Sequence, residues 1–126
     1  MLTPRGMSAI PTVLIVEDEL LIRWALGERL VAAGYRVVEA EDGRSAREAY
    51  GAGIDAVVLD LRLPDTSGIE LLRHFKRAIP TVHVLLMSAY ATPEVELEAM
   101  RLGAAAVVGK PFEVDEMVAR VTALLA

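Results

Sequence analysis

A chain of 126 residues has room for one domain and not for two. Its 54% hydrophobic and 25% charged residues suit a packed core, and its net charge of −5 argues against direct binding to nucleic acid, which calls for a basic face. The absence of cysteine excludes disulfides, thiolate chemistry and cysteine-ligated zinc, and agrees with a reducing, cytoplasmic setting.

The first eleven residues contain one Arg and no long apolar stretch, so no signal peptide is expected. They read as an N-terminal extension, 1–11, ahead of a single domain over 12–126. No apolar run approaches the roughly 18 residues of a membrane span, and no membrane contact is expected. The first strand candidate is Val13-Leu14-Ile15-Val16, which runs into Glu17-Asp18-Glu19. A helical pattern follows from Leu20 to Ala33 and stops at Gly34, a residue suited to the position just past a helix end. Tyr35 to Ala40 forms the second strand. Asp42-Gly43 opens a short helix with Ala46 and Ala49 on one face.

Ala56-Val57-Val58-Leu59 is the third strand and delivers Asp60. After Pro64-Asp65 and Gly68, a helix carries Ile69, Leu71, Leu72 and Phe75 on an apolar stripe until Pro80 breaks it. Val82 to Met87 is the fourth strand and delivers Ser88. Thr92-Pro93-Glu94 has the form of a helix start, with a cap, a proline in the first turn and an acid near the positive end. That helix closes at Gly103. Ala104 to Val108 is the fifth strand and delivers Lys110-Pro111. The last helix shows Val114, Met117, Val118, Val121 and Leu125 at spacings of three and four.

Strands therefore alternate with helices throughout, and the strand runs are continuously apolar. A parallel sheet covered on both faces requires that pattern. The fold class is α/β, a doubly wound (βα)5 three-layer sandwich. In such sheets ligands bind beyond the carboxyl ends of the strands, where strand order reverses. Here those ends offer Glu17 and Asp18, Asp60, Ser88 and, just past the fifth, Lys110. Two like charges about 4 Å apart repel by about 4 kcal/mol at a near-surface dielectric, so three carboxylates at one edge call for a cation or raised pKa values. Oxygen donors without histidine favour a hard divalent ion such as Mg²⁺.

Val13 to Glu19, Leu59-Asp60-Leu61-Arg62-Leu63-Pro64, Ser88-Ala89 and Lys110-Pro111-Phe112 together resemble the motifs of bacterial two-component response-regulator receiver domains. The resemblance covers nearly the whole chain. It implies a flavodoxin-like sheet of order 2-1-3-4-5, with Asp60 as phospho-acceptor and Ser88 and Lys110 holding the phosphoryl group. It implies Mg²⁺ bound by Asp18, Asp60 and the backbone carbonyl of Arg62, with Glu17 acting through water. A cis peptide at Lys110–Pro111 is implied too. The implied partners are a sensor histidine kinase or phosphotransfer protein as donor and a downstream output protein or domain, with a phosphorylation-dependent homodimer as a further option. The chain would be a signalling switch that catalyses its own phosphoryl transfer and dephosphorylation, not an enzyme turning over an independent substrate.

Taken singly, each residue has a plainer reading: Glu17-Asp18 as a helix cap, Asp60 as a turn residue, Ser88 as a cap, Lys110 as a solvated lysine. Their order at successive strand ends outweighs those readings. An Asp-nucleophile phosphatase of the haloacid-dehalogenase type would carry an acid two residues after the nucleophile, where this chain has Arg62. A nucleotide-binding flavodoxin-like module would carry a glycine-rich loop after the first strand, where this chain has acids. Two departures from the family pattern stand out. Glu17 replaces the commoner Asp, so its longer side chain should push the carboxylate further into the site. Val107 replaces the usual aromatic, which leaves Tyr90 to supply a ring and shifts the expected activation to the loop after Ser88 and the helix from Thr92 to Gly103. Arg62 and Tyr90 flank Asp60 and are expected to hinder a hydrolytic water. Arg23-Trp24 resembles the nitrogen-regulatory activator branch of the family.

Overall fold

Each apolar run is a strand, and the computed structural model, which describes residues 10–51 and 53–126, places all five in one sheet. The elements are β1 (Thr12–Val16), α1 (Leu20–Ala32), β2 (Arg36–Ala40), α2 (Gly43–Ala49) and β3 (Ala56–Asp60), then α3 (Gly68–Ala78), β4 (His83–Ser88), α4 (Pro93–Arg101), β5 (Ala106–Gly109) and α5 (Val114–Leu125). All strand pairs are parallel and the order is β2-β1-β3-β4-β5, as the resemblance implied. Of the segment read as an extension, positions 1–9 lie outside the described residues. Pro11 already takes part in the sheet, accepting the Arg36 N–H at 3.0 Å.

The period of two along each strand divides the core into two halves. Leu14 and Val16 of β1, with Val57, Leu59, Val84 and Leu86, face Ala46 of α2, Leu71, Leu72 and Phe75 of α3, and Ala99 of α4. Val13, Ile15, Val58, Leu85 and Met87 face Leu26 and Leu30 of α1 and Met117 and Val121 of α5. Both faces of β1 and β3 are thus covered, which is why their sequences are unbroken apolar runs. Burying each such side chain stabilises the fold by about 1.5–3 kcal/mol, and that sum opposes the entropy of ordering the chain.

The helix starts follow the cap signals. Asp42 and Ser45 form a reciprocal capping box on α2, Ser67 accepts the Glu70 N–H on α3, and Thr92 accepts the Val95 N–H on α4. Gly34 and Gly103 end α1 and α4 with φ of 101° and 104°, a backbone region that disfavours other residues. These endings also trim the strands that follow. The Tyr35 N–H donates back to Leu30 and the Ala104 N–H to Ala99, so β2 opens at Arg36 and β5 at Ala106, later than the apolar runs indicate.

The connection from β3 to α3 is closed twice. At its neck the Gly68 N–H donates to Leu61 O at 2.7 Å and Arg62 bridges Ser67. At its tip Asp65 accepts the Gly43 N–H at 2.7 Å and the Arg44 N–H at 3.0 Å, using the open amides at the start of α2. The neck admits only glycine at position 68, since a Cβ there would meet Asp60 O at 2.5 Å and Leu61 Cα at 2.8 Å. Gly68→Ala should therefore cost about 2 kcal/mol or more, because the atoms in the way are backbone and cannot yield without moving Asp60. Urea denaturation checks this, and an unchanged midpoint would contradict it.

Candidate functional site

Strand register brings the chemistry together. Val16 lies opposite Leu59, so the next residues along each strand, Glu17 and Asp60, are neighbours. Asp60 lies opposite Met87, one residue before Ser88, and Ser88 lies opposite Gly109, one residue before Lys110. The edge where strand order reverses around β1 thus collects every residue that sequence reasoning selected.

Lys110 is the hub. Its Nζ donates to Glu17 Oε1 at 2.6 Å and to Asp60 Oδ2 at 3.0 Å. The second Glu17 oxygen accepts the Glu19 N–H at 3.0 Å, and Asp60 Oδ1 accepts the Arg62 N–H at 3.3 Å. Glu17 is fully buried, and its extra methylene lets it reach Lys110. Burial raises the Glu17 pKa to about 7, aided by the Asp60 charge and countered by the bonds from Lys110 and Glu19. Burial also works against the charge on Lys110, but its bonds to the two carboxylates prevail and its pKa is raised. Lys110 thus stays charged, and Glu17 loses its proton only near neutral pH.

Asp18 is exposed, and its carboxylate has no hydrogen bond or ion pair among the described residues. One oxygen from each of Glu17, Asp18 and Asp60 lies within 4.8 Å of the others, so one ammonium faces three carboxylates. Ser88 is buried, and its Oγ accepts the Tyr90 N–H at 2.9 Å. Tyr90 and Arg62 pack against each other, with the guanidinium 4.7 Å from the ring centroid. The Lys110–Pro111 peptide is cis. Beside the acids runs an apolar groove of about 450 Å³, lined by Leu21, Ile22 and Ala25 of α1 together with Pro111, Phe112 and Val114.

Residues 13–122 match the model of the response regulator receiver domain. The chain belongs to that family. Receiver domains are the phosphorylation switches of two-component response regulators, and the family implies a histidine kinase as partner and an output domain. Among the chain's relatives, the regulatory protein AtoC of Escherichia coli is 38% identical over 113 residues, covering 88% of this chain and 24% of that protein. The phosphate regulon regulator PhoB of Pseudomonas aeruginosa is 38% identical over 117 residues, covering 90% and 51%. The non-phosphorylated receiver domain of HemR from Leptospira biflexa superposes with a TM-score of 0.88 at 34% identity, covering 92% of this chain and 94% of that one. The receiver thus spans between about a quarter and half of the curated relatives it matches. No helix among the described residues is long and apolar enough to cross a membrane.

Sequence reasoning gave no role in the site to Asp65, Gly68 or Glu39. The glycine carried a signal, since an obligatory close approach often shows as a lone Gly at an element boundary. Asp65 read as a turn residue, and nothing local tells that its carboxylate reaches a different helix.

Lys110→Met would leave Glu17 and Asp60 facing each other without the ammonium. Breaking a largely buried pair this way should cost about 2 kcal/mol at pH 8 without divalent ions, below the value for a fully dry pair because Lys110 touches solvent. The sign follows from Glu17, whose folded pKa lies above its usual value of 4.5 and rises further in the variant. Its contribution is present below pH 4.5 and is lost as pH climbs through 7. The stability deficit of Lys110→Met against the wild type should widen from pH 5 to pH 8 in urea unfolding. A deficit independent of pH would contradict the assignment.

Proposed function

We propose that this receiver accepts a phosphoryl group on Asp60 from a phosphohistidine of a sensor histidine kinase or phosphotransfer protein, with Mg²⁺ as cofactor. The observation that carries the reading is the convergence of Lys110, Glu17 and Asp60 at the edge where Asp18 and Ser88 also end. The donor set fits the ion, since all the side-chain donors are oxygens and the lysine cannot balance three carboxylates. Asp18, Asp60 and the backbone carbonyl of Arg62 would hold Mg²⁺, with Glu17 behind them through water because both its oxygens already accept hydrogen bonds. When bound, Mg²⁺ screens the acids and offsets charge on the phosphoryl oxygens.

The chain's own residues do the rest. An Asp60 oxygen attacks phosphorus while the bond to the donor imidazole breaks. Lys110, already on Asp60, can pass to a phosphoryl oxygen, and the Ser88 hydroxyl proton can donate to another. No acid/base group stands two residues beyond Asp60, where Arg62 lies, which supports a self-acting switch over an enzyme with independent turnover. The donor protein would approach across the apolar groove beside α1. The loop after Ser88 and helix α4 would carry the response to an output partner or domain. Leu97 and Met100 on α4 are exposed, and with Ala105, Ala106 and Val107 they line a groove of about 280 Å³. That surface could serve a phosphorylation-dependent homodimer equally. The domain would occupy 12–126 and act in the cytoplasm.

Incubation with a small phosphodonor and Mg²⁺ should add one phosphoryl mass to the wild type and none to Asp60→Asn by intact mass spectrometry. Labelling of both, or of neither, would refute the assignment. The Arg62–Tyr90 contact supports a second expectation. Replacing both with alanine opens the mouth of the site to water and should speed loss of the phosphoryl group several-fold, which a decay assay reads directly. An unchanged lifetime would remove the pair from the account.

A further inference from the structure

Arg23 takes no part in the carboxylate cluster, yet it holds the acidic pair at the end of β1 from behind. It lies on α1 with its side chain only 13% exposed. Its Nη1 donates to the main-chain carbonyl of Glu17 at 2.7 Å, and its Nε donates to Glu39 Oε1 on β2 at 3.0 Å. The Glu17 carbonyl belongs to the rigid peptide that leads into Asp18, so a donor fixed on that oxygen fixes the plane from which Asp18 projects. The Asp18 carboxylate has no bond of its own among the described residues to orient it.

A glycine inside α1 completes the arrangement. Gly27 is buried one turn beyond Arg23, where propensity alone disfavours glycine. A Cβ there would meet Glu39 Oε2 at 3.3 Å, with Ile15 Cδ1 and Val37 Cγ1 at 3.8 Å. The missing side chain leaves the space in which the Glu39 carboxylate lies alongside α1. A guanidinium suits the position because its planar fork serves acceptors on two different elements at once, which an ammonium cannot reproduce.

We propose that Arg23 is a positioning residue for the cation-binding acids. With Glu39 as its counter-ion and Gly27 as the gap that admits Glu39, it aims Asp18 through the Glu17 carbonyl. This inference rests on the reading of the cluster as a Mg²⁺ centre. Supports standing behind metal ligands change affinity by about 10- to 100-fold when removed.

Mg²⁺ alone, titrated by calorimetry, tests it. Arg23→Met weakens Mg²⁺ binding about tenfold, the low end of that range. Arg23→Lys restores part of the loss. Glu39→Gln weakens binding about threefold, because a neutral acceptor keeps the bond and loses the charge assistance. The effect runs through Asp18, so Asp18→Asn and the double variant Asp18→Asn/Arg23→Met bind Mg²⁺ equally weakly. Equal affinity in wild type and Arg23→Met overturns the inference, and so does a further tenfold loss when Arg23→Met is added to Asp18→Asn. Should Arg23→Met not fold, Glu39→Gln decides, and wild-type affinity in that variant overturns the proposal. Wild-type Mg²⁺ binding that is insensitive to Asp18→Asn refutes the metal centre itself, and the role of Arg23 with it.

Discussion

The carboxyl edge of this sheet exists because one ammonium holds two carboxylates that would otherwise drive each other apart. Glu17 is fully buried and Asp60 nearly so, and Lys110 donates a hydrogen bond to each. Much of the local architecture serves that contact. The β1–β3 register sets the two acids side by side, and β5 lies one strand beyond β4 so that Lys110 can reach across. Asp18 adds a third acid to the cluster, with no hydrogen bond or ion pair to it among the described residues. Such a cluster could hold a metal ion.

Around the acids, the supporting structure is polar and runs through the main chain. The Glu17 carbonyl, the Arg62 amide and the Tyr90 amide are each engaged. The β3–α3 loop is closed at its neck by Gly68 and held at its tip by Asp65 on α2. These contacts fix the position of Asp60 through the backbone.

Most of the fold was legible in the sequence, for identifiable reasons. Short, β-branched-rich runs such as Ala56 to Leu59 between helical patterns suit strands covered on both faces, and Thr92-Pro93 and Asp42-Gly43 mark helix starts through local chemistry. Boundaries slipped where a helix ending claimed the next amide, as at Tyr35 and Ala104. That Glu17, Asp60, Ser88 and Lys110 would share one edge was legible because parallel strands deliver their last residues there whatever the loops do. Tertiary reach was not legible. Glu17 read as a residue acting on the ion, and no local pattern told that its carboxylate also meets Lys110. The pairing of Arg23 with Glu39 depends on how α1 crosses an edge strand, which no local pattern encodes, although a glycine in mid-helix at position 27 hinted at a close approach there.

The Lys110–Glu17 bond joins residues 93 positions apart, and Lys110–Asp60 spans 50. During synthesis the acids therefore emerge long before their counter-charge. A nascent chain with four strands assembled carries its repulsion unrelieved and lacks the cover that β5 and α5 give to Met87, so it gains little by settling early. The final strand supplies the missing charge and the missing packing in the same step. Loss of the last strand and helix would therefore remove charge and packing together.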